Sequence, residues 1–428
     1  MSRVKLEETA NRETWRAYLF FWSGQLFSVL GSSISQFTII LWLTEITGSA
    51  LLLSFASFFY ALPMTIVITF AGVLIDRWSR KKIILVVDSL QAFIMVLIIL
   101  LFSFDLAEPL IIIAINGLLG LFQGFHIPTV NAIIPTMVPK ERLSRINGLN
   151  FFFTGSIQII GPIIAAMLMS FMPIMMILWL DPLTYAIAFI PLLLTNIPII
   201  KTDVTSIQKK SFLEDFKIGF RALKLIPILL MMLLVAMFVN FLLRPFGIFM
   251  PYLILFNHSG TPTDLAIVLA FLNGGTLLGA LVTSIKKNWK HIIPIYFCGE
   301  MLLMVTYGII GASPHGFFLL MSISAAIFGF IVPINNTIYL TIMQQKVPKE
   351  KMGRISSIDW AISLAISPIG ALISGPLAEF FGVPSLFVGC SIIGVVITLT
   401  LWWIAHTRVN SHNIENEGIS REINNIKI

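Results

Sequence analysis

The chain has 428 residues, 57% of them hydrophobic and only 11% charged, with a mean hydropathy of +0.92. Such values exclude a soluble globular domain. A net charge of +7 and a pI near 9.4 would suggest a nucleic-acid partner in a soluble protein, but membrane orientation and anionic headgroups account for the charge here.

Apolar stretches long enough to cross a bilayer recur along almost the whole chain. Twelve are predicted, over 16–43, 50–75, 83–104, 109–137, 147–171, 174–199, 224–255, 263–285, 291–312, 315–344, 355–380 and 384–406. The first is too long for a cleavable signal peptide and runs on into the others. Basic residues then fix the orientation. They fall before span one (Arg3, Lys5, Arg12, Arg16), between spans two and three (Arg77, Arg80, Lys81, Lys82) and between four and five (Lys140, Arg142, Arg145). The pattern continues through the central break, the eight-to-nine and ten-to-eleven breaks, and the C-terminal segment, so that 27 of the 28 Lys and Arg lie on one side. By the positive-inside rule that side, with both termini, is cytoplasmic. Cys298 and Cys390 both lie within spans, which points away from a disulfide framework or a metal site.

The longest polar break separates six spans from six. The expected organisation is a bundle over 1–200, a cytoplasmic loop over 201–221, a second bundle over 222–406 and a disordered tail over 407–428. A direct repeat supports this division: VPKERLSRINGL at 138–149 returns as VPKEKMGRISSI at 347–358, with six of twelve positions identical. Each copy follows a Pro-x-x-Asn helix, Pro128/Asn131 and Pro333/Asn336. A repeat in the same orientation relates the halves by an axis along the membrane normal.

The break after span two reads GVLIDRWSRKK from Gly72 to Lys82. It resembles the G-x-L-A-D-R-x-G-R-K-K signature of the major facilitator superfamily, with Ile75 and Ser79 departing from it. The resemblance implies a conformational latch of Gly72, Asp76, Arg77, Arg80, Lys81 and Lys82, with Asp76 meeting the start of span eleven near Ser356 and Ser357, where a helix dipole favours an anion. A solvated turn charge is the plainer reading of Asp76. In span five, Gly148, Gly161 and Pro162 fall in register with the superfamily's antiporter motif, whose other small positions are Ile157, Ala165 and Ala166 here. Ordinary small-residue packing would leave the same trace. Across the whole chain these features resemble the superfamily, and the connector after span four is similar to that of the drug:proton antiporter branch, which includes macrolide efflux proteins and the enterobactin exporter. The implied fold is all-α, with twelve transmembrane helices in two six-helix bundles.

Ionisable groups inside spans are functional candidates by default. Arg244, followed by Pro245 in span seven, could meet an anionic group or snorkel to the outer interface. Asp181 and Glu300 are the preferred candidates for carrying protons, with a structural hydrogen-bond cluster the alternative for Asp181. His126 is a rival because imidazole is the side chain that titrates near physiological pH, although a lone intramembrane His is more often a hydrogen-bonded packing residue. Asp88 and Asp359, within about two turns of the cytoplasmic face, are expected to extend the latch. The resemblance implies that spans one, four, seven and ten line the substrate cavity, which would offer Gln25, Gln36, Asn116, Gln123, Asn240, Arg244, Asn335 and Asn336; spans three, six, nine and twelve would stand outside it. The expected function is proton-driven export of amphipathic organic molecules of the macrolide type, without cofactor or enzymatic step, by a monomer in a bacterial cytoplasmic membrane. Export of a siderophore or other endogenous metabolite is a second reading, and a non-transporting receptor or scaffold a third. No phosphate-binding G-x-x-x-x-G-K-[ST] loop is present to support a nucleotide-driven pump.

Overall fold

The computed structural model describes residues 12–198, 226–286, 289, 291–347 and 366–412. Among these residues every regular element is helical, as a bilayer demands of a backbone that cannot hydrogen-bond to water. In chain order they are α1 (Arg12–Thr47), α2 (Ala50–Arg77), α3 (Arg80–Ser103), α4 (Pro109–Met137), α5 (Lys140–Met169), α6 (Ile174–Leu178) and α7 (Leu180–Leu194). There follow α8 (Pro227–Leu242), α9 (Arg244–Tyr252), a π-helical turn (Leu253–Asn257), α10 (Pro262–Ile285), α11 (Ile292–Gly311), α12 (Phe318–Lys346), α13 (Ile366–Phe381) and α14 (Val383–His412).

Eleven helical segments among the described residues are long and apolar enough to cross a membrane, one of them joining α8, α9 and the π-helical turn. The shorter α13 occupies the end of the expected eleventh span, whose earlier residues lie outside the described set. Large apolar side chains such as Phe70, Phe93, Leu194, Ile285 and Trp403 leave between 65% and 71% of their surface exposed. Apolar exposure on that scale suits contact with lipid and not with water. Breaks follow local chemistry. Pro245 lacks an N–H and cannot continue the α8 ladder, so the helix restarts as α9 at Arg244. Gly382, at φ +79°, turns the chain from α13 into α14 within one residue.

The chain divides into two compact units, Met1–Val204 with Ile254–Asn273, and Thr205–Leu253 with Gly274–Ile428. In the first, Trp15, Tyr18, Phe21, Ile84, Ile133, Met137 and Leu192 form one core cluster, and Ile39, Ile94, Ile98, Leu119 and Leu178 another. Glycines bring α4 onto α2: a Cβ at Gly117 would press on the Phe59 carbonyl, at Gly120 on that of Tyr60, and at Gly124 on that of Met64. Close backbone approach of this kind is how small residues pack membrane helices. In the second unit the glycines sit on the other partner. Gly275 and Gly279 of α10 face the carbonyls of Ala326 and Phe330 on α12. That unit's core is aromatic, with Phe246 stacked on Phe328 at 4.8 Å and edge-on to Tyr307 at 5.6 Å.

Candidate functional site: a polar cavity in the first unit

Four apolar helices of the first unit each carry a short polar stripe. On α1, Gln25, Ser32 and Gln36 recur at two- to three-turn spacing; on α3, Asp88 and Gln91, on α4, Gln123 and His126, and on α7, Asp181 and Tyr185 recur after one turn. Facing stripes place these polar groups around one cavity of about 670 Å³. Apolar side chains including Phe37, Ile40, Met95 and Ile157 complete its walls. Aromatic, aliphatic and a few fixed polar groups are the usual lining of a site for a drug-sized ligand.

Three side chains close a triangle in the wall. The Gln25 amide donates from Nε2 to Asp88 Oδ2 at 3.4 Å, and its Oε1 lies 3.3 Å from His126 Nε2. His126 Nε2 is also 3.3 Å from Asp88 Oδ1, an atom that accepts no hydrogen bond among the described residues. In this arrangement both neighbours of His126 Nε2 are acceptors, so the proton of the neutral ring belongs on Nε2. Asp88 is buried, and the imidazole is the base that meets it.

Asp181 is buried as well but differently held. The Ser32 hydroxyl donates to its Oδ1 at 2.6 Å. The Tyr185 hydroxyl, one turn further on, is engaged with Ser89 at 2.7 Å, and Gln91 donates to Gln123 at 3.1 Å. Tyr60 of α2 and Gln36 of α1 also line the cavity.

Residues 21–368 match the model of the Major Facilitator Superfamily. The chain belongs to that family. Macrolide efflux protein A of Streptococcus pyogenes is 30% identical to it over 387 residues, covering 90% of this chain and 95% of that protein. The enterobactin exporter EntS of Escherichia coli is 24% identical over 347 residues, covering 79% and 80%. Among solved structures, a bacterial homologue of the iron transporter ferroportin in an inward-facing state superposes with a TM-score of 0.70 at 15% identity, covering 90% of this chain and 98% of that one. The protein is thus a multi-pass membrane transporter of the superfamily with efflux-pump relatives, which implies a small-molecule substrate and a lipid surround.

The sequence-predicted residues of this superfamily member separate into groups. Gln25, Gln36, Gln123, His126 and Asp181 meet at the cavity. Asp88, expected to extend the latch, pairs instead with His126 and Gln25 in the cavity wall. With it, α3 and α7 line the cavity that spans three and six were expected to stand outside. Asn116 faces the other way, its amide 3.5 Å from the Ala56 carbonyl of α2. In the second unit, Asn240 and Asn336 are exposed. Glu300 is buried beside Asn335 and Tyr296, whose hydroxyl donates to the Met232 carbonyl. The Arg244 side chain packs against Gly370, with its buried Nε lacking a hydrogen bond among the described residues.

Of the expected latch, α2 carries Gly72, Asp76 and Arg77, while the Asp76 and Arg77 side chains and all of Ser356, Ser357 and Asp359 lie outside the described residues. Arg80 donates to the Ala132 carbonyl at 3.0 Å and Lys81 to that of Leu193 at 2.6 Å, tying the start of α3 to α4 and to the last turn of α7. A cation on a helix's last carbonyls also complements its dipole. Lys82 lines a separate apolar groove with Trp78 and Phe125. Within the antiporter motif, a Cβ at Gly161 would collide with Ser33 of α1, Pro162 lines the cavity, and Gly148 faces open space. Sequence reasoning passed over Gln91, Tyr60 and Tyr185. For Gln91 and Tyr185 the signal was available in their one-turn spacing to Asp88 and Asp181; Tyr60 has no such neighbour on its own helix.

Proposed function

We propose that this chain exports amphipathic organic molecules of the macrolide type in exchange for inward-moving protons, by alternating access of two six-helix bundles. It acts as a monomer in a bacterial cytoplasmic membrane with both termini inside. The observation that carries the proposal is the Asp88–His126 pair, 3.3 Å apart in the wall of the cavity. Unloaded, a carboxylate beside a neutral ring carries one negative charge; one added proton neutralises the pair, wherever it resides. Facing outward the pair takes up that proton, and facing the cytoplasm it gives the proton up as cargo enters. The Gln25 amide holds the ring for this exchange, and the Asp76 latch gates the cytoplasmic side. The likeness to macrolide efflux protein A supports the direction of transport and the cargo.

Arg244 favours a second reading. A half-buried guanidinium with an unsatisfied Nε would suit an anionic metabolite, as in siderophore export.

The test is the accumulation of a labelled macrolide in a sensitive bacterial host that expresses the chain. Low accumulation, restored by a protonophore, is the expected result. Accumulation equal to that of an empty-vector host, with the protein confirmed in the membrane, contradicts macrolide export and shifts attention to anionic metabolites.

A further inference from the structure

The two carboxylates of the cavity have unequal partners. Asp88 faces an imidazole at 3.3 Å and an amide donor at 3.4 Å, so a group able to become a cation already stands against it. Asp181 receives the hydroxyl of Ser32, and among the described residues no basic side chain faces it. No Lys or Arg occurs among the described residues lining the cavity. An ionised carboxylate held away from water without a counter-charge is costly. At the cavity surface that cost falls when a cation of the ligand takes the vacant place.

From this asymmetry we infer a division of labour: Asp181 is the counter-ion for a cationic amine of the cargo, and the Asp88–His126 pair carries the proton. The inference rests on the exporter reading and narrows its substrate class to amine-bearing amphipaths. The amine enters beside Asp181 and Ser32. The apolar body of the cargo lies along Phe37, Ile40 and Met95, and the Gln91–Gln123 amides meet its hydroxyl or carbonyl groups. An anionic cargo would be repelled by both carboxylates here. A neutral one would gain the apolar contacts without the ion pair.

The experiment measures equilibrium binding to the purified full-length protein, with wild type, Asp181→Asn, Asp181→Glu and Asp88→Asn compared. The probes are a labelled amine-bearing macrolide and its N-demethylated, N-acetylated derivative, in which the amine has become a neutral amide. Asp181→Asn is expected to weaken amine binding about tenfold or more and to leave binding of the amide derivative within about twofold. Asp181→Glu retains the charge and therefore the preference for the amine, and it decides the matter if the Asn variant does not fold. Asp88→Asn keeps the preference for the amine over the amide. Equal losses for both probes in Asp181→Asn, or loss of the amine preference in Asp88→Asn with Asp181 intact, overturn the assignment while leaving the exporter reading standing. Wild-type protein that binds neither probe overturns the exporter reading and the assignment with it.

Discussion

Asp88→Asn is expected to abolish accumulation of cargo against a gradient while leaving cargo binding and downhill exchange in place. Asparagine preserves the shape of the side chain and can still meet the Gln25 amide, but it cannot take up or release a proton. The triangle with His126 and Gln25 then persists as a hydrogen-bonded cluster without a coupling function. The size of the effect follows from thermodynamics. One pH unit is worth about 1.4 kcal/mol per proton, which sustains about a tenfold cargo gradient in a tightly coupled one-for-one exchange. With a one-unit pH gradient imposed across proteoliposomes, wild type is expected to approach that ratio and Asp88→Asn to stay near unity. His126→Gln tests the other half of the pair. It removes the base that faces Asp88 Oδ1, and uphill transport is expected to fall while binding persists. Uphill transport by Asp88→Asn at the wild-type level would remove Asp88 from the coupling scheme.

The second large effect concerns the fold. Gly120→Leu is expected to destabilise the first unit by about 3 kcal/mol or more, the upper end of the range for overpacking. A Cβ at this position collides with the Tyr60 carbonyl, and the whole backbone of α2 must retreat to admit it. A flexible side chain could swing aside; a helix backbone already committed to its own hydrogen bonds cannot do so at low cost. Gly389→Ala on α14 is the control, since a Cβ there meets nothing within 4 Å. Thermal unfolding of the purified protein in detergent reads both. An unfolding temperature for Gly120→Leu equal to that of the control would mean that α2 and α4 do not pack through their glycines.

Much of the fold could be read directly because the bilayer imposes so few solutions. A spanning helix needs about twenty apolar residues, and each of the eleven long segments among the described residues overlaps a predicted stretch. The polar residues of α1 and α4 were legible for a related reason. Glutamine, serine and histidine on otherwise apolar helices have to face something other than lipid, and helical spacing shows that they share a face. What spacing within one helix cannot show is which groups on other helices lie opposite. Asp88 sits two turns from Arg80 and so looked like part of a cytoplasmic cluster. Gln25 and His126 reach it from α1 and α4, a tertiary arrangement that no single-helix pattern contains. Asn116 erred in the opposite direction: it shares α4 with His126, yet its amide is aimed at a carbonyl of α2. The two glycines of the antiporter motif differ for the same reason, because only Gly161 has a neighbour, Ser33, close enough to need a glycine.

Inverted membrane vesicles that contain the protein, with respiration making the lumen acidic, give the most direct test of proton-coupled export through this cavity. A fluorescent reporter follows the pH of the lumen as a macrolide is added outside. Antiport moves cargo into the lumen and protons out, so the lumen should become more alkaline on addition in wild-type vesicles and stay unchanged in Asp88→Asn vesicles. Macrolide entering wild-type vesicles with no alkalinisation, or an equal response from both proteins, would contradict proton coupling at Asp88.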